Sequence, residues 1–544
     1  MPKEIQVSKP DQLSSEIQHT IPVDAVLQSE WADIGKLRDI ARRHCPEELR
    51  TVVSEIIPDD INLESVFASF SQLQEPARLS GFSLPGLPED FFRLGSFSDA
   101  NLLEIKSERL TYAAKEQFSE NTFSDYSFLR DQQFRYNGRD TFDVDTIRKD
   151  FPILHQKVNG KDLIWFDNAA TTQKPQSVID AITHFYQHDN SNIHRAAHTL
   201  AARSTDAYEG ARVKVKNFIN ASSTDEIIFV RGTTEGINLV SQTYGRRFIQ
   251  PGDEIIVSTL DHHANIVPWQ QIAKERGAHL LAIPINDRGE VILEEYERML
   301  SSRTKIVSVG HVNNTFGTIS PVKTIIDIAK RYGARVLLDG AQSIAHTPID
   351  VQDLDVDFFV FSGHKIYAPN GIGVVYGKKE LLDIIPPWQG GGNMIKDVTI
   401  EETIFNDTPA KFEAGTPSVA DAVGLGAALD YVSSIGLINI SKYEHYLTEY
   451  AREQLCKIEG LRLIGNPRDR ISVVSFELQG IPTLEVGKLL DKEGIALRAG
   501  HHCAQPALRR LGVEASVRPS FAFYNKREEI DKLVDAVKKI MYNR

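Results

Sequence analysis

Cysteine is scarce: the chain has three in 544 residues, Cys45, Cys456 and Cys503. They are too few for a disulfide framework, and no paired spacing suits a metal site, so none is expected. Long hydrophobic runs are missing too. No stretch reaches the ~18 apolar residues that cross a bilayer, and the first residues do not read as a secretory signal. A cytoplasmic protein with no membrane partner is therefore expected. Positive charge is in deficit, with 61 Lys and Arg against 74 Asp and Glu and a net of -13. That balance argues against nucleic acid as the main partner. About nine of the excess negative charges fall in residues 1–140, which leaves the remainder near neutral, as in an ordinary globular enzyme. A chain this long exceeds one core, so two or more domains are expected.

Residues 1–142 carry little sustained periodicity and read as an acidic, mostly disordered extension. Within it, Val26, Leu27, Trp31, Ile34, Leu37 and Ile40 recur at helical spacing until Pro46 breaks the run. Between 76 and 100, Pro and Gly exclude a long regular element, yet Phe82, Leu84, Leu87, Phe91, Phe92 and Phe97 are strongly apolar. A flexible segment with aromatic anchors reads as a docking motif, or as a linker folding back on its own enzyme.

From Asp143 onward strands and helices alternate. Strands are expected at Leu163–Phe166, Glu226–Val230, Glu254–Ser258, Leu280–Ile283, Lys305–Gly310, Arg335–Leu338 and Asp357–Phe361, with helices between them. That rhythm predicts an α/β fold, its mostly parallel sheet covered by helices on both faces. The large domain is expected over 161–409, and a smaller α+β domain over 143–160 and 410–544.

Unusual residues fall at the expected strand ends, where open parallel sheets bind ligands. Phe358-Phe359-Val360-Phe361 runs into Ser362-Gly363-His364-Lys365. A lysine there either turns out to solvent or is an amine held in a pocket, able to form a Schiff base. Asp339 ends another apolar strand, with Gln342 three residues on; it is a helix cap or a partner for a protonated pyridine nitrogen. Thr233 and Thr234 follow a strand and open a helix, so they form an ordinary cap or a phosphate cup, though no Walker lysine is present. His262 and His263 follow the strand Glu254–Ser258; His262 could lie flat over an aromatic cofactor. Cys503 lies in a polar loop with His501, His502 and Arg498, cations that favour a thiolate, and Arg518 is a candidate carboxylate clamp. Together these suit a pyridoxal-phosphate enzyme that passes a substrate atom to a cysteine.

At these residues the chain resembles the SufS-like (group II) cysteine desulfurases. The likeness is carried by Phe166-Asp167-Asn168-Ala169-Ala170-Thr171-Thr172, Asn192-Ile193-His194-Arg195, Arg231-Gly232-Thr233-Thr234-Glu235-Gly236, His262-His263-Ala264-Asn265, Asp339-Gly340-Ala341-Gln342, Ser362-Gly363-His364-Lys365, Phe412-Glu413-Ala414-Gly415-Thr416-Pro417 and Arg498-Ala499-Gly500-His501-His502-Cys503. It implies a fold-type I homodimer using pyridoxal 5'-phosphate. Lys365 would anchor the cofactor and move the Cα proton, Asp339 would pair the pyridine nitrogen, Gln342 would bond the ring oxygen and His262 would stack on the ring. Thr233, Thr234, Ser362 and His364 would hold the phosphate, with Thr416 reaching in from the partner subunit. Asn314 and Ala169 would lie near cofactor and substrate, Arg518 would clamp the substrate carboxylate, and His194, Arg195 and Arg498 would line the pocket around Cys503.

The resemblance implies removal of sulfur from L-cysteine, or selenium from L-selenocysteine, with L-alanine as product and a persulfide on Cys503 for an acceptor protein. The extension resembles the loading segments of desulfurases packed inside encapsulin shells. Two other readings remain: a free desulfurase serving iron–sulfur assembly, and a pyridoxal-phosphate lyase or aminotransferase in which Cys503 plays no part.

Overall fold

The computed structural model describes residues 142–194 and 197–542. The helix and docking anchors expected in residues 1–141, together with Cys45 and Arg195, lie outside the described residues.

Helix α1 (Val144–Lys149) is capped by Asp143, whose Oδ1 accepts from the Thr146 N–H at 3.0 Å. Phe151, just beyond it, is fully buried among Tyr367, Tyr431, Phe523 and Tyr524. Strand β1 (Ile164–Trp165) precedes α2 (Gln176–His184) and the long α3 (Thr199–Phe218). Then come β2 (Ile227–Val230), α4 (Thr233–Val240), β3 (Glu254–Ser258), α5 (Val267–Arg276), β4 (His279–Ile283), β5 (Thr304–Gly310), α6 (Val322–Arg331), β6 (Arg335–Asp339), β7 (Phe358–Ser362) and β8 (Gly373–Gly377). A hairpin, β9 (Ile395–Val398) and β10 (Thr403–Phe405), is followed by α7 (Val419–Ile435) and α8 (Leu437–Leu455). The last elements are β11 (Leu461–Leu463), β12 (Phe476–Leu478), α9 (Thr483–Lys492), β13 (Ile495–Ala496), β14 (Arg498–Gly500), β15 (Ser516–Arg518) and α10 (Arg527–Tyr542).

One sheet of seven strands has the order β2-β8-β7-β6-β5-β3-β4. From β7 to β4 neighbouring strands are parallel, and only β8 runs against its neighbours. The mostly parallel sheet read from the alternation is therefore the one that forms. Both faces are apolar, because helices cover both. Phe358 and Val360 pack with Ile255 and Val257 toward Ile237 of α4 and Trp269 of α5. Phe359 and Phe361, pointing the other way, join Val336, Leu338, Tyr208 of α3 and Leu425 of α7. Burying each such side chain stabilises the sheet by roughly 1.5–3 kcal/mol. At Gly340 a Cβ would lie 2.1 Å from Phe359 Cζ, so only glycine lets the turn after Asp339 lie against β7.

The C-terminal region forms an antiparallel sheet, β11-β12-β15-β14. Two segments cross the domain boundaries expected from sequence. β1, placed with the large domain from residue 161, pairs in parallel with β13, Ile164 opposite Ile495, and Asp167 bridges to Ser520. α7, placed with the small domain from residue 410, packs on α2 and α3. A two-residue strand carries no signal for its partner, and α7 buries apolar residues around most of its circumference.

Candidate active site

β7 ends at Ser362 and passes at once into a tight helical turn, Gly363–Lys365. The buried strand delivers the Lys365 amine to the carboxyl end of the sheet. The amine has no hydrogen bond or ion pair among the described residues. Burial lowers its pKa from 10.5 to about 8; the Asp339 carboxylate opposes that shift, and Arg518 and Arg498 reinforce it. The Cys503 thiol also acts on this amine.

Asp339 closes the adjacent β6. One carboxylate oxygen accepts from the Ala341 N–H at 2.9 Å, and the other accepts no hydrogen bond among the described residues. Burial raises its pKa. An open acceptor deep in a pocket fits a protonated ring nitrogen. Gln342 donates from Nε2 to the Ala169 carbonyl at 2.7 Å, and the Ala169 N–H donates to Ser520 Oγ at 2.9 Å. The amide expected to face a ring oxygen thus also ties this turn to the segment after β1.

His262 follows β3, its Nδ1 accepting from the Ala264 N–H at 3.1 Å. Burial, then the Lys365 charge, lowers its pKa to about 3, so the ring is neutral. Beside it Asp261 is buried, its Oδ2 accepting from the Ser258 N–H and its Oδ1 from the Gly310 N–H, each at 2.7 Å. Burial pushes Asp261 up to about 8 against those two donors, and Asp339 adds repulsion.

A cavity of about 440 Å³ opens on the N-terminus of α4, lined by Gly232, Thr233, Thr234, Ser362, His364 and Trp388 among others. Ser362 Oγ accepts from the Thr233 N–H at 2.8 Å and lies 2.8 Å from Thr233 Oγ1. Exposed N–H groups and hydroxyls at a helix N-terminus favour a phosphate. Burial, with Lys365 and Lys174 nearby, lowers His364 to about 4.

Cys503 and His502 both adopt left-handed backbone, with φ of 55° and 53°. Such conformations cost about 1–3 kcal/mol each away from glycine, so surrounding bonds must hold them. Asn314 Nδ2 donates to the His502 carbonyl at 2.8 Å, and His502 Nε2 lies 3.0 Å from Ser516 Oγ. The Cys503 N–H donates to His501 Nδ1 at 3.0 Å, and the His263 N–H to the Cys503 carbonyl at 2.9 Å. The thiol is half-buried.

Arg518 is buried. Its Nη1 donates to the Asn314 carbonyl and its Nη2 to Asp167 Oδ1, both at 3.0 Å, while Arg498 donates to Asp167 Oδ2 at 3.1 Å. Arg518 Nε is buried with no hydrogen-bond partner among the described residues. A buried guanidinium N–H without a partner carries a desolvation cost that an anionic acceptor would relieve.

Lys365, Asp339, Gln342, Ala169, His262, Asn314, Arg518, Arg498 and Cys503 are thus linked by contacts or by charge, and Thr233, Thr234, Ser362 and His364 form the cup next to Lys365. One expected neighbour of Cys503 makes its contacts elsewhere in this chain. His194 is held by Glu209 at 2.9 Å and Asn393 at 3.3 Å, and makes no contact with the Cys503 loop among the described residues. Thr416, expected to reach into a partner subunit, is exposed and is not in the lining of its own chain's cup. Asp167, Asp261 and Trp388 were not singled out from sequence. A clue existed for the first two, each an aspartate just past an apolar strand; none existed for Trp388.

The Aminotransferase class-V family matches residues 164–533. Over 399 residues the chain is 60% identical to a cysteine desulfurase of Synechococcus elongatus, which covers 73% of this chain and 64% of that protein. The chain thus spans somewhat less than two thirds of that relative's length. It is 49% identical over 401 residues to a cysteine desulfurase of Pectobacterium atrosepticum, which covers 74% of this chain and 98% of that one. Among solved structures, the cysteine desulfurase CsdA of Escherichia coli matches with a TM-score of 0.69 at 40% identity, over 73% of this chain and 98% of that one.

Proposed function

The chain belongs to the class-V aminotransferase family and stands among its cysteine desulfurases, and on that premise we propose that it removes sulfur from L-cysteine, releasing L-alanine and leaving a persulfide on Cys503. The observation that carries this is the unpartnered Lys365 amine, which feels both the Asp339 carboxylate and the Cys503 thiol. Proteins of this family use pyridoxal phosphate. The open Asp339 oxygen, the α4 cup and the free amine fit that cofactor.

When bound, pyridoxal phosphate supplies an electron sink that weakens the bonds at the substrate's Cα. Lys365 would anchor it and, as a free amine, would remove the Cα proton; its lowered pKa keeps part of it in the basic form near neutral pH. Asp339 would pair with the ring nitrogen, and His262, kept neutral, would stack on the ring. Thr233, Thr234, Ser362 and His364 hold the phosphate. Arg518 would take the substrate carboxylate, with Asp167 and Asn314 fixing the guanidinium. Cys503 Sγ then attacks the substrate sulfur: the S–S bond forms as the C–S bond breaks, and the electron pair stays with the carbon fragment that becomes alanine.

Incubation with L-cysteine followed by mass analysis of non-reduced peptides is expected to find one added sulfur on Cys503. Sulfur absent from that peptide, with alanine still formed, overturns the assignment. Arg518→Lys is expected to raise KM for L-cysteine by about 10- to 100-fold, since hydrogen bonds to charged groups contribute about 1.5–3 kcal/mol. Steady-state kinetics check this; an unchanged KM would take the carboxylate away from Arg518.

At finer grain we propose a SufS-like group II homodimer in which Thr416 reaches into the partner's phosphate cup. Its exposure, outside the lining of its own chain's cup, supports that arrangement. Residues 1–142 are proposed to load the enzyme into a cytoplasmic encapsulin shell, on the strength of their acidity and the aromatic anchors between Phe82 and Phe97. Coexpression with a shell protein is expected to package the full chain and exclude a version lacking 1–142; equal packaging of both would end that proposal.

A further inference from the structure

We propose that Asp261 is a positioning residue for the cofactor ring: its carboxylate clips the ends of β3 and β5 together and so sets the spacing between His262 and Asp339. This rests on the cofactor reading of the site.

β3 and β5 are parallel neighbours, but their ladder runs only as far as Ile256 opposite Val307. Beyond that point the buried N–H of Ser258 and the part-buried N–H of Gly310 need another acceptor. Asp261 supplies one oxygen to each at 2.7 Å. The clip is linked to both ring-facing groups through the backbone. His262 is the next residue on the β3 side. On the β5 side Gly310 pairs with Asp339 of β6, and the His311 N–H donates to the Asp339 carbonyl at 2.9 Å. A second tie, Asn313 Nδ2 to the Leu260 carbonyl at 2.6 Å, holds the same turn against the chain after β5.

The energetics also favour a positioning role. Asp261 is 2% exposed and has no ion-pair partner among the described residues, and the Asp339 charge acts on it unfavourably. A buried acid without a counter-ion is costly unless its geometry is needed. Space at the clip is tight, since a Cβ on Gly310 would lie 3.1 Å from Asp261 Oδ1.

Three holoenzyme variants test the clip by their visible circular dichroism per bound cofactor, which reports how the ring is held, and by cofactor affinity, with thermal melting as the fold control. Asp261→Asn turns one acceptor into a donor facing a backbone N–H. It is expected to alter the visible dichroism and weaken cofactor binding about tenfold or more. Gly310→Ala crowds the carboxylate without changing any charge and is expected to shift both readouts in the same direction; it decides the matter if Asp261→Asn does not fold. Asp261→Glu restores the acceptors and is expected to recover affinity in part. Wild-type dichroism and affinity in folded Asp261→Asn or Gly310→Ala overturn the clip. A wild-type enzyme with no visible cofactor band at all would instead overturn the reading of the site.

Discussion

Cys503→Ala is expected to lower alanine formation from L-cysteine by about a thousandfold or more, while the visible absorbance of the bound cofactor persists. The two effects separate because the thiol and the cofactor groups come from different parts of the chain. Cys503 sits in the loop between β14 and residue 505, whereas Lys365, Asp339 and the α4 cup sit at the ends of β7, β6 and β2. The substitution leaves the loop's backbone alone. Alanine keeps the Cβ and meets the same left-handed φ of 55°, so stability should stay within about 0.5 kcal/mol of wild type. The hydrogen bonds that hold the loop run through the main chain of 502–504 and through His501, Asn314 and Ser516, and none uses the sulfur. Coupled measurement of alanine and of visible absorbance on one preparation checks the prediction. Alanine formed at the wild-type rate would turn the site into that of a lyase or aminotransferase, in which Cys503 takes no part.

The sheet was legible because its strands are apolar on both faces and end in glycine or polar residues, a pattern that survives without any tertiary information. The pocket was legible where a reactive residue stands alone at a strand end, as Lys365 and Asp339 do. What stayed hidden depends on contacts between distant segments. Asp167 is 331 positions from Arg498 and 351 from Arg518, so its role as their shared acceptor exists only in the fold. Glu413 is similar. Its carboxylate meets Arg212 of α3 at 2.7 Å with both groups buried, and also accepts from the Phe229 N–H of β2, yet in sequence it is only the second residue of Phe412-Glu413-Ala414. The placement of β1 beside β13 was hidden for the converse reason, since two strand residues are too few to specify a partner.

Lys365→Ala is expected to cost more than any other single substitution, because the residue has two duties. As anchor, its loss removes the absorbance band of the lysine-bound cofactor. As base, its loss removes a proton transfer worth about 10²–10⁴ in rate, so kcat should fall at least that far even with cofactor in excess. Lys365→Arg should be as inactive, since a guanidinium stays protonated and forms no imine. The wild-type amine should also leave its signature in pH. Its pKa is lowered to about 8 by burial. At pH 7 roughly one molecule in ten then carries the neutral amine, against roughly one in three thousand for an ordinary lysine. Mixing apoenzyme with the cofactor should therefore give a visible band whose rate of appearance climbs about tenfold between pH 6 and 7 and levels off just above 8, as the amine becomes fully neutral. Stopped-flow absorbance across that range measures it. Arg518 and Arg498 help to keep the amine's pKa low and Asp339 opposes them, so Asp339→Asn should move the plateau to lower pH. A rate that goes on rising through pH 10 would mean that Lys365 meets solvent and that the pocket does not lower its pKa.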